Sequence, residues 1–207
     1  MNALPIDTAG LLAIAAALGW ASGLRLYAVV FLTGLAGQLG WVQLPAGLHV
    51  LESTVMLAAS GFMLLVEFFA DKIPGVDSLW DMIHTVLRIP AGAALAAAVF
   101  GADQSSWAMA AALMGGTLAA TSHVAKATTR AALNTTPEPF SNIAMSLVGD
   151  SVVPVSLWLS WQHPHLFFAA LAVALVVMVA LTWVLAGFLR RLVRRVSGWC
   201  GAGQPST

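Results

Sequence analysis

The chain has 207 residues, 59% of them hydrophobic and 9% charged, with nine Lys and Arg balancing nine Asp and Glu. Soluble domains carry roughly 25% charged residues, so this chain lacks the charge to coat a water-exposed surface and reads as an integral membrane protein. Zero net charge without a basic patch excludes nucleic acid as a partner, and a single cysteine, Cys200, excludes an internal disulfide framework.

The N-terminus, MNALPIDTAG, has no Lys or Arg and runs into an apolar stretch longer than a signal-peptide core, so the first segment is expected to be retained. Segment one, about 9–40, is too long for one simple span at about 1.5 Å per residue. Its middle, GWASGLRLY, allows two readings. One is a broken or half-inserted helix with a full span from about Leu26; the other is a long tilted helix packed through Gly19-xxx-Gly23. Segments two to six follow at about 51–70, 77–100, 106–125, 140–161 and 166–189. They are separated by the breakers PAGLH, DKIPGVD, GADQSS, NTTPEP and QHPH. The expected fold is therefore an all-α, polytopic membrane helical bundle of about six spans. It forms a single domain over 1–199, followed by a disordered cytoplasmic tail at 200–207.

Arg190, Arg191, Arg194 and Arg195 close the last span, which sets the C-terminus on the cytoplasmic side. Counting back, the connections holding Lys72 and Lys126/Arg130 are cytoplasmic too, as is the N-terminus, while the connections at 41–50, 101–106 and 162–165 hold no Lys or Arg. A weak internal repeat of helical hairpins is a further reading, because Gly61, Glu67 and Lys72 align with Gly115, Thr121 and Lys126 at one offset.

Residues 66–90, VEFFADKIPGVDSLWDMIHTVLRIP, gather six of the eighteen charged residues. Glu67 and Asp71 are one turn apart, Asp77 is a candidate N-cap, and Asp77, Asp81, His84 and Arg88 recur at four, three and four residues. That spacing sets them on one helix face, opposite Leu79, Met82, Ile83 and Val86. Such a stripe must face protein or water, because lipid leaves it unsatisfied. The bland alternative, strongest for Asp71, Lys72 and Asp77, is an interfacial turn with surface ion pairs. In segment five Asn142, Ser146 and Asp150 share a face, and Asp150 lies about ten residues into an apolar run. A carboxylate at that depth costs about 2.5–3.5 kcal/mol and calls for a partner, with Arg25 and Arg88 as candidates. Lys126 and Arg130, one turn apart near the start of segment five, suit either an anion or lipid headgroup or a positive-inside anchor.

His163 and His165 form an HxH with no further ligand nearby, and His49 and His123 stand alone, which favours structural roles. Trp41, Trp107, Trp161 and Trp199 flank spans as interfacial anchors do. There is no HExxH, GxSxG, phosphate loop or Cys/His cluster, so no cofactor, metal or catalytic activity is expected.

The strings SGLRLY (22–27), VEFFADKIPGVDSLWD (66–81) and RAALNTTPEPFSN (130–142) resemble the bacterial membrane family catalogued as domain of unknown function 4126. The resemblance covers most of residues 10–160, with Thr136 where a Ser and Gly149 where a second acid would be expected. It implies a multi-span inner-membrane protein and no particular activity.

The leading functional expectation is a small transporter or channel for an ion or polar solute. Arg25, Glu67, Asp81, His84, Arg88 and Asp150 would line its intramembrane site, and Lys72, Lys126 and Arg130 would bind an anionic group. The first alternative is binding or flipping of an anionic lipid or polyprenyl phosphate, and the second a non-catalytic scaffold. Membrane lipids and a second or third copy of the chain are the expected partners.

Overall fold

The computed structural model describes residues 7–73, 75–135 and 139–201, with the side chains of 102, 139, 142 and 195–201 outside the description. Six long α-helices follow one another: α1 Thr8–Gln38, α2 Thr54–Ala70, α3 Val76–Ala98, α4 Ser105–Leu133, α5 Pro139–Gln162 and α6 Pro164–Gly201. Short 3₁₀ turns at Ala46–Glu52 and Ala102–Gln104 precede α2 and α4, and the described residues contain no strand. Four helices, α1, α4, α5 and α6, are long and apolar enough to cross a membrane. The Ala46–Glu52/Thr54–Ala70 pair, bent by 68°, makes a fifth if it counts as one span. α3, which carries Asp77, Asp81 and Arg88, is not among them, so the six expected spans correspond to six helices of which four or five meet that test.

α1 is the axis of the bundle. It is apolar all round, and a helix without a polar face belongs in a core. Gly10, residues 13–26 and Ala28, Val29, Thr33 and Gly34 are buried, while α2, α3, α4 and α5 pack around it. Asp7 caps its start by accepting from the Gly10 N–H at 2.7 Å. Small residues let the neighbours come close. Gly19 lies on Gly115 of α4, Gly23 on Ala119 and Ser122, and Gly92 of α3 on Ala119 and on the Gly19 carbonyl. A methyl group at Gly92 would sit 2.7 Å from the Ala119 Cβ.

Segment one combines a feature of each reading, the break and the glycine packing. The helix packs through Gly19 and Gly23, and it is broken at Arg25, whose φ of −149° and ψ of 87° are extended. A break within an apolar helix exposes carbonyls that lipid cannot satisfy. Side chains of α4 take them: Lys126 donates to the Leu24 carbonyl at 3.0 Å, and Ser122 to that of Trp20 at 2.6 Å.

Three boundaries differ from expectation. α4 runs to Leu133 rather than about Ala125, so Lys126 and Arg130 stand on its last turns instead of in a connection. The N-cap of α3 is Gly75, at φ 87°, and Asp77 sits inside the first turn, its carboxylate accepting from the Gly75 and Ser78 N–H groups at 2.8 and 2.6 Å. α6 carries on through Cys200 to Gly201, two residues into the expected tail; residues 202–207 lie outside the described residues. The hairpins compared as a repeat both splay apart, since α2 touches α3 little and α4 touches α5 little. Their aligned positions have different surroundings: Glu67 is an ion-pair partner of Arg88, whereas Thr121 bonds its own helix at the Thr117 carbonyl.

Candidate functional site

The stripe on α3 is buried, while Leu79, Met82, Ile83 and Val86 opposite it are exposed on the outer face of the bundle. Inside, Arg88 pairs with Glu67 of α2 at 2.7 Å and with Asp81, two turns earlier on the same face of α3. Asp81 continues to Lys126 of α4 at 3.2 Å and to Arg130 at 3.5 Å. Lys126 and Arg130 both reach Asp71 at 3.1 Å, and Asp71 reaches Arg25 at the break of α1 at 3.0 Å. Arg25 pairs with Asp150 of α5 at 2.9 Å, and Asp150 meets Lys72 at 3.5 Å. Arg130 closes a side branch to Asp77 at 3.2 Å, where Asn134 also donates. The result is one continuous ion-pair chain across α1 to α5.

Five bases (Arg25, Lys72, Arg88, Lys126, Arg130) thus meet five acids (Glu67, Asp71, Asp77, Asp81, Asp150). Burying an ion costs several kcal/mol even after relaxation, and only close pairing offsets it. The balance of signs is what lets this density of charge sit among apolar helices. Only Asp150 and Lys72 keep appreciable exposure, with side chains 22% and 21% accessible.

Of the expected site residues, Arg25, Glu67, Lys72, Asp81, Arg88, Lys126, Arg130 and Asp150 join this chain. His84 stands beside it: its ring stacks on Trp80 at 4.0 Å and bonds the Trp80 carbonyl and the Tyr27 hydroxyl at 2.9 and 3.2 Å. Asp71 and Asp77 are fully buried participants rather than an interfacial turn, because the α2–α3 connection folds inward onto α4. His123 does not stand alone: Arg88 donates to its Nδ1 at 3.3 Å, which leaves Nε2 to donate to Thr85 at 2.7 Å, and Thr85 donates to the Asp81 carbonyl. Ser146 accepts from Arg25 at 2.9 Å and from Lys72 at 3.3 Å, but the side chain of Asn142, expected on the same face, lies outside the described residues. Among the described residues no His, Cys, Asp and Glu group could hold a metal ion.

A cavity of about 240 Å³ opens between α1, α4, α5 and α6. Arg25, Asp71, Lys126, Arg130 and Ser146 form its polar end, and Trp20, Leu24, Val152, Met178 and Leu181 are among its apolar walls. Glu67, Asp81, Arg88 and Asp150 do not line it. Three bases and one acid are therefore among its lining residues, all of them buried and paired with one another through Asp71. Arg25, one of its lining residues, has Nε and Nη1 without a hydrogen-bond partner among the described residues.

Fold and site together define a membrane-embedded helical bundle with a charged interior. The chain belongs to the family described as a domain of unknown function (DUF4126), whose profile matches residues 12–184. No curated protein and no solved structure matches it.

Proposed function

We propose that the protein binds an anionic amphiphile, a lipid or polyprenyl phosphate, within the bilayer and carries its headgroup. The observation behind this reading is the unequal lining of the cavity: three buried bases against one acid at one end and hydrocarbon-like walls everywhere else. A free inorganic anion would gain nothing from the apolar walls, and a neutral lipid would leave the cations without a counter-charge. Two Arg25 nitrogens, Nε and Nη1, also have no partner among the described residues, and a phosphate offers several acceptors to a guanidinium fork. The break in α1 adds a backbone feature common where membrane carriers bind their cargo.

The test is lipid analysis of the purified protein. Wild type should retain anionic amphiphiles above their share of the surrounding membrane. The charge-balanced variant Arg25→Gln/Asp150→Asn, which leaves Asp71 paired with Lys126 and Arg130, should lose that enrichment. A wild-type lipid profile equal to the bulk membrane, or one unchanged in the variant, would refute the reading.

One observation favours a second reading, transport of a small ion or polar solute. The ion-pair chain is continuous from buried Glu67 to the partly accessible Asp150 and Lys72, so a proton or cation arriving at Asp150 would perturb every pair behind it. Liposome flux under ion gradients, wild type against Asp150→Asn, separates the two: flux abolished by the substitution supports ion transport, and equal flux in both removes it. In either reading the protein is taken as a non-catalytic, multi-pass protein of a bacterial inner membrane with both termini cytoplasmic. The basic end of α6 supports that orientation. A dimer or trimer is the proposed assembly, to be checked by crosslinking in native membranes.

A further inference from the structure

Arg25 gathers its acceptors on one nitrogen. The Asp71 and Asp150 carboxylates, the Ser146 hydroxyl and the Ser146 carbonyl lie 3.0, 2.9, 2.9 and 3.3 Å from Nη2. Nε and Nη1 have no acceptor among the described residues, although the side chain is only 2% accessible. A buried cationic donor left unsatisfied is costly, so what borders those nitrogens matters. Nε lies beside Gly149 of α5. A Cβ added at Gly149 would stand 3.5 Å from Nε, an ordinary contact, and among the described residues it would meet nothing else within 4 Å beyond its own stretch of helix backbone. At Gly19 and Gly23, by contrast, an added Cβ would run into the backbone of α4, so packing requires those glycines. Packing does not require Gly149, and within a helix glycine is less stable than alanine. Its missing side chain leaves room beside Nε, in the wall of the first cavity, which both residues line. Gly149 is half-buried, so that room is not sealed. A second cavity, of about 280 Å³ between α1, α5 and α6, shares Trp20, Val152 and Ala174 with the first, but no charged residue lines it. The polar end of the pair is therefore the one at Arg25.

We propose that Gly149 and Arg25 together form the anion subsite, in which a phosphate oxygen of the ligand takes the place of the side chain that position 149 lacks and accepts from Arg25 Nε. This rests on the headgroup reading above and adds the residue that keeps the headgroup site open. A charge-assisted N–H···O contact brings the oxygen to about 2.7–2.9 Å from the nitrogen, and glycine leaves that space free. Alanine would set a methyl group against Nε and take part of the room. A carboxylate at 149, one bond beyond the Cβ, would come within hydrogen-bond reach of Nε and act as a built-in substitute for the ligand. Lys126 and Arg130 line the same end of the cavity and add positive charge there, held in place through Asp71.

The experiment is a thermal-shift titration in phosphatidylcholine nanodiscs, with a rising fraction of phosphatidic acid or with inorganic phosphate in solution. It compares wild type with Gly149→Ala, Gly149→Asp, Arg25→Gln/Asp150→Asn and, as a helix-glycine control with open space around it, Gly187→Ala. Phosphatidic acid should stabilise wild type and Gly187→Ala alike, and inorganic phosphate should stabilise neither. Gly149→Ala should melt no lower than wild type without phosphatidic acid, yet need about threefold more of it or higher for half-saturation. Gly149→Asp should fold and show no response. A phosphatidic acid response undiminished in Gly149→Asp but lost in Arg25→Gln/Asp150→Asn, or a Gly149→Ala that melts below wild type, would overturn the subsite and leave the headgroup reading standing. A response to inorganic phosphate with the same dependence on position 149 would keep the subsite and overturn the amphiphile. No response of wild type to either phosphate, or a response unchanged in the charge variant, would overturn both.

Discussion

Removing Arg88 tests whether the buried charges hold the bundle together as a mutually paired set. Its guanidinium is fully enclosed and pairs with Glu67, also fully enclosed, and with Asp81. In Arg88→Met, Asp81 keeps Lys126 and Arg130, but Glu67 loses the ion-pair partner it has among the described residues. Breaking one side of a buried pair costs about 3–5 kcal/mol, because the remaining charge is desolvated without compensation. At about 2–4 °C per kcal/mol for a chain of this length, the melting temperature should fall by about 6–20 °C. Removing both partners together is a different matter: in Arg88→Met/Glu67→Leu no charge is orphaned, and stability should return to within about 2 kcal/mol of wild type. The assay is thermal unfolding in a mild detergent, followed by tryptophan fluorescence and by recovery of monodisperse protein. A single variant as stable as wild type, or a double variant no better than the single, would refute the reasoning.

Gly23→Val should cost about 1–3 kcal/mol or prevent accumulation, because its new atoms meet the Ala119 backbone and Ser122 on α4, whereas Gly187→Ala on α6, with open space around it, should be neutral in the same unfolding assay. Ser146→Ala removes an acceptor shared by Arg25 and Lys72 and should lower stability by about 1 kcal/mol, read from the same melts. Asp7→Ala removes the N-cap of the central helix, and a loss of about 1 kcal/mol is expected, visible as faster amide exchange over the first turn of α1.

Much of the helix layout was legible in the residues. The breakers Gly75 and Gly101 fall between helices, Pro164 opens α6, and the 4-3-4 spacing of Asp77, Asp81, His84 and Arg88 does mark a buried face. Asp150 lies too deep in an apolar run to stay alone, and of its two candidate partners, Arg25 and Arg88, the structure pairs it with Arg25. Less of the site was legible. Asp71 and Asp77 sit beside a turn between two apolar runs, where local pattern favours a solvated edge; only the inward fold of that turn onto α4 makes Asp71 the meeting point of three cations. His123 looks solitary in the sequence because its partners, Arg88 and Thr85, are more than thirty residues away in the chain.

By itself the sequence determined that the chain is a bundle of apolar helices, that one face of α3 carries charges lipid would leave unsatisfied, and which charges would need partners. These follow from local chemistry: hydropathy, periodicity and the cost of an ion in hydrocarbon act within one helix. The tertiary structure alone decided which charge meets which, that α1 breaks at Arg25, and where two cavities are left. Those depend on how closely glycine and alanine seams let α1, α3 and α4 approach and on how loosely α5 and α6 cover what remains, and residues a hundred positions apart set such distances jointly.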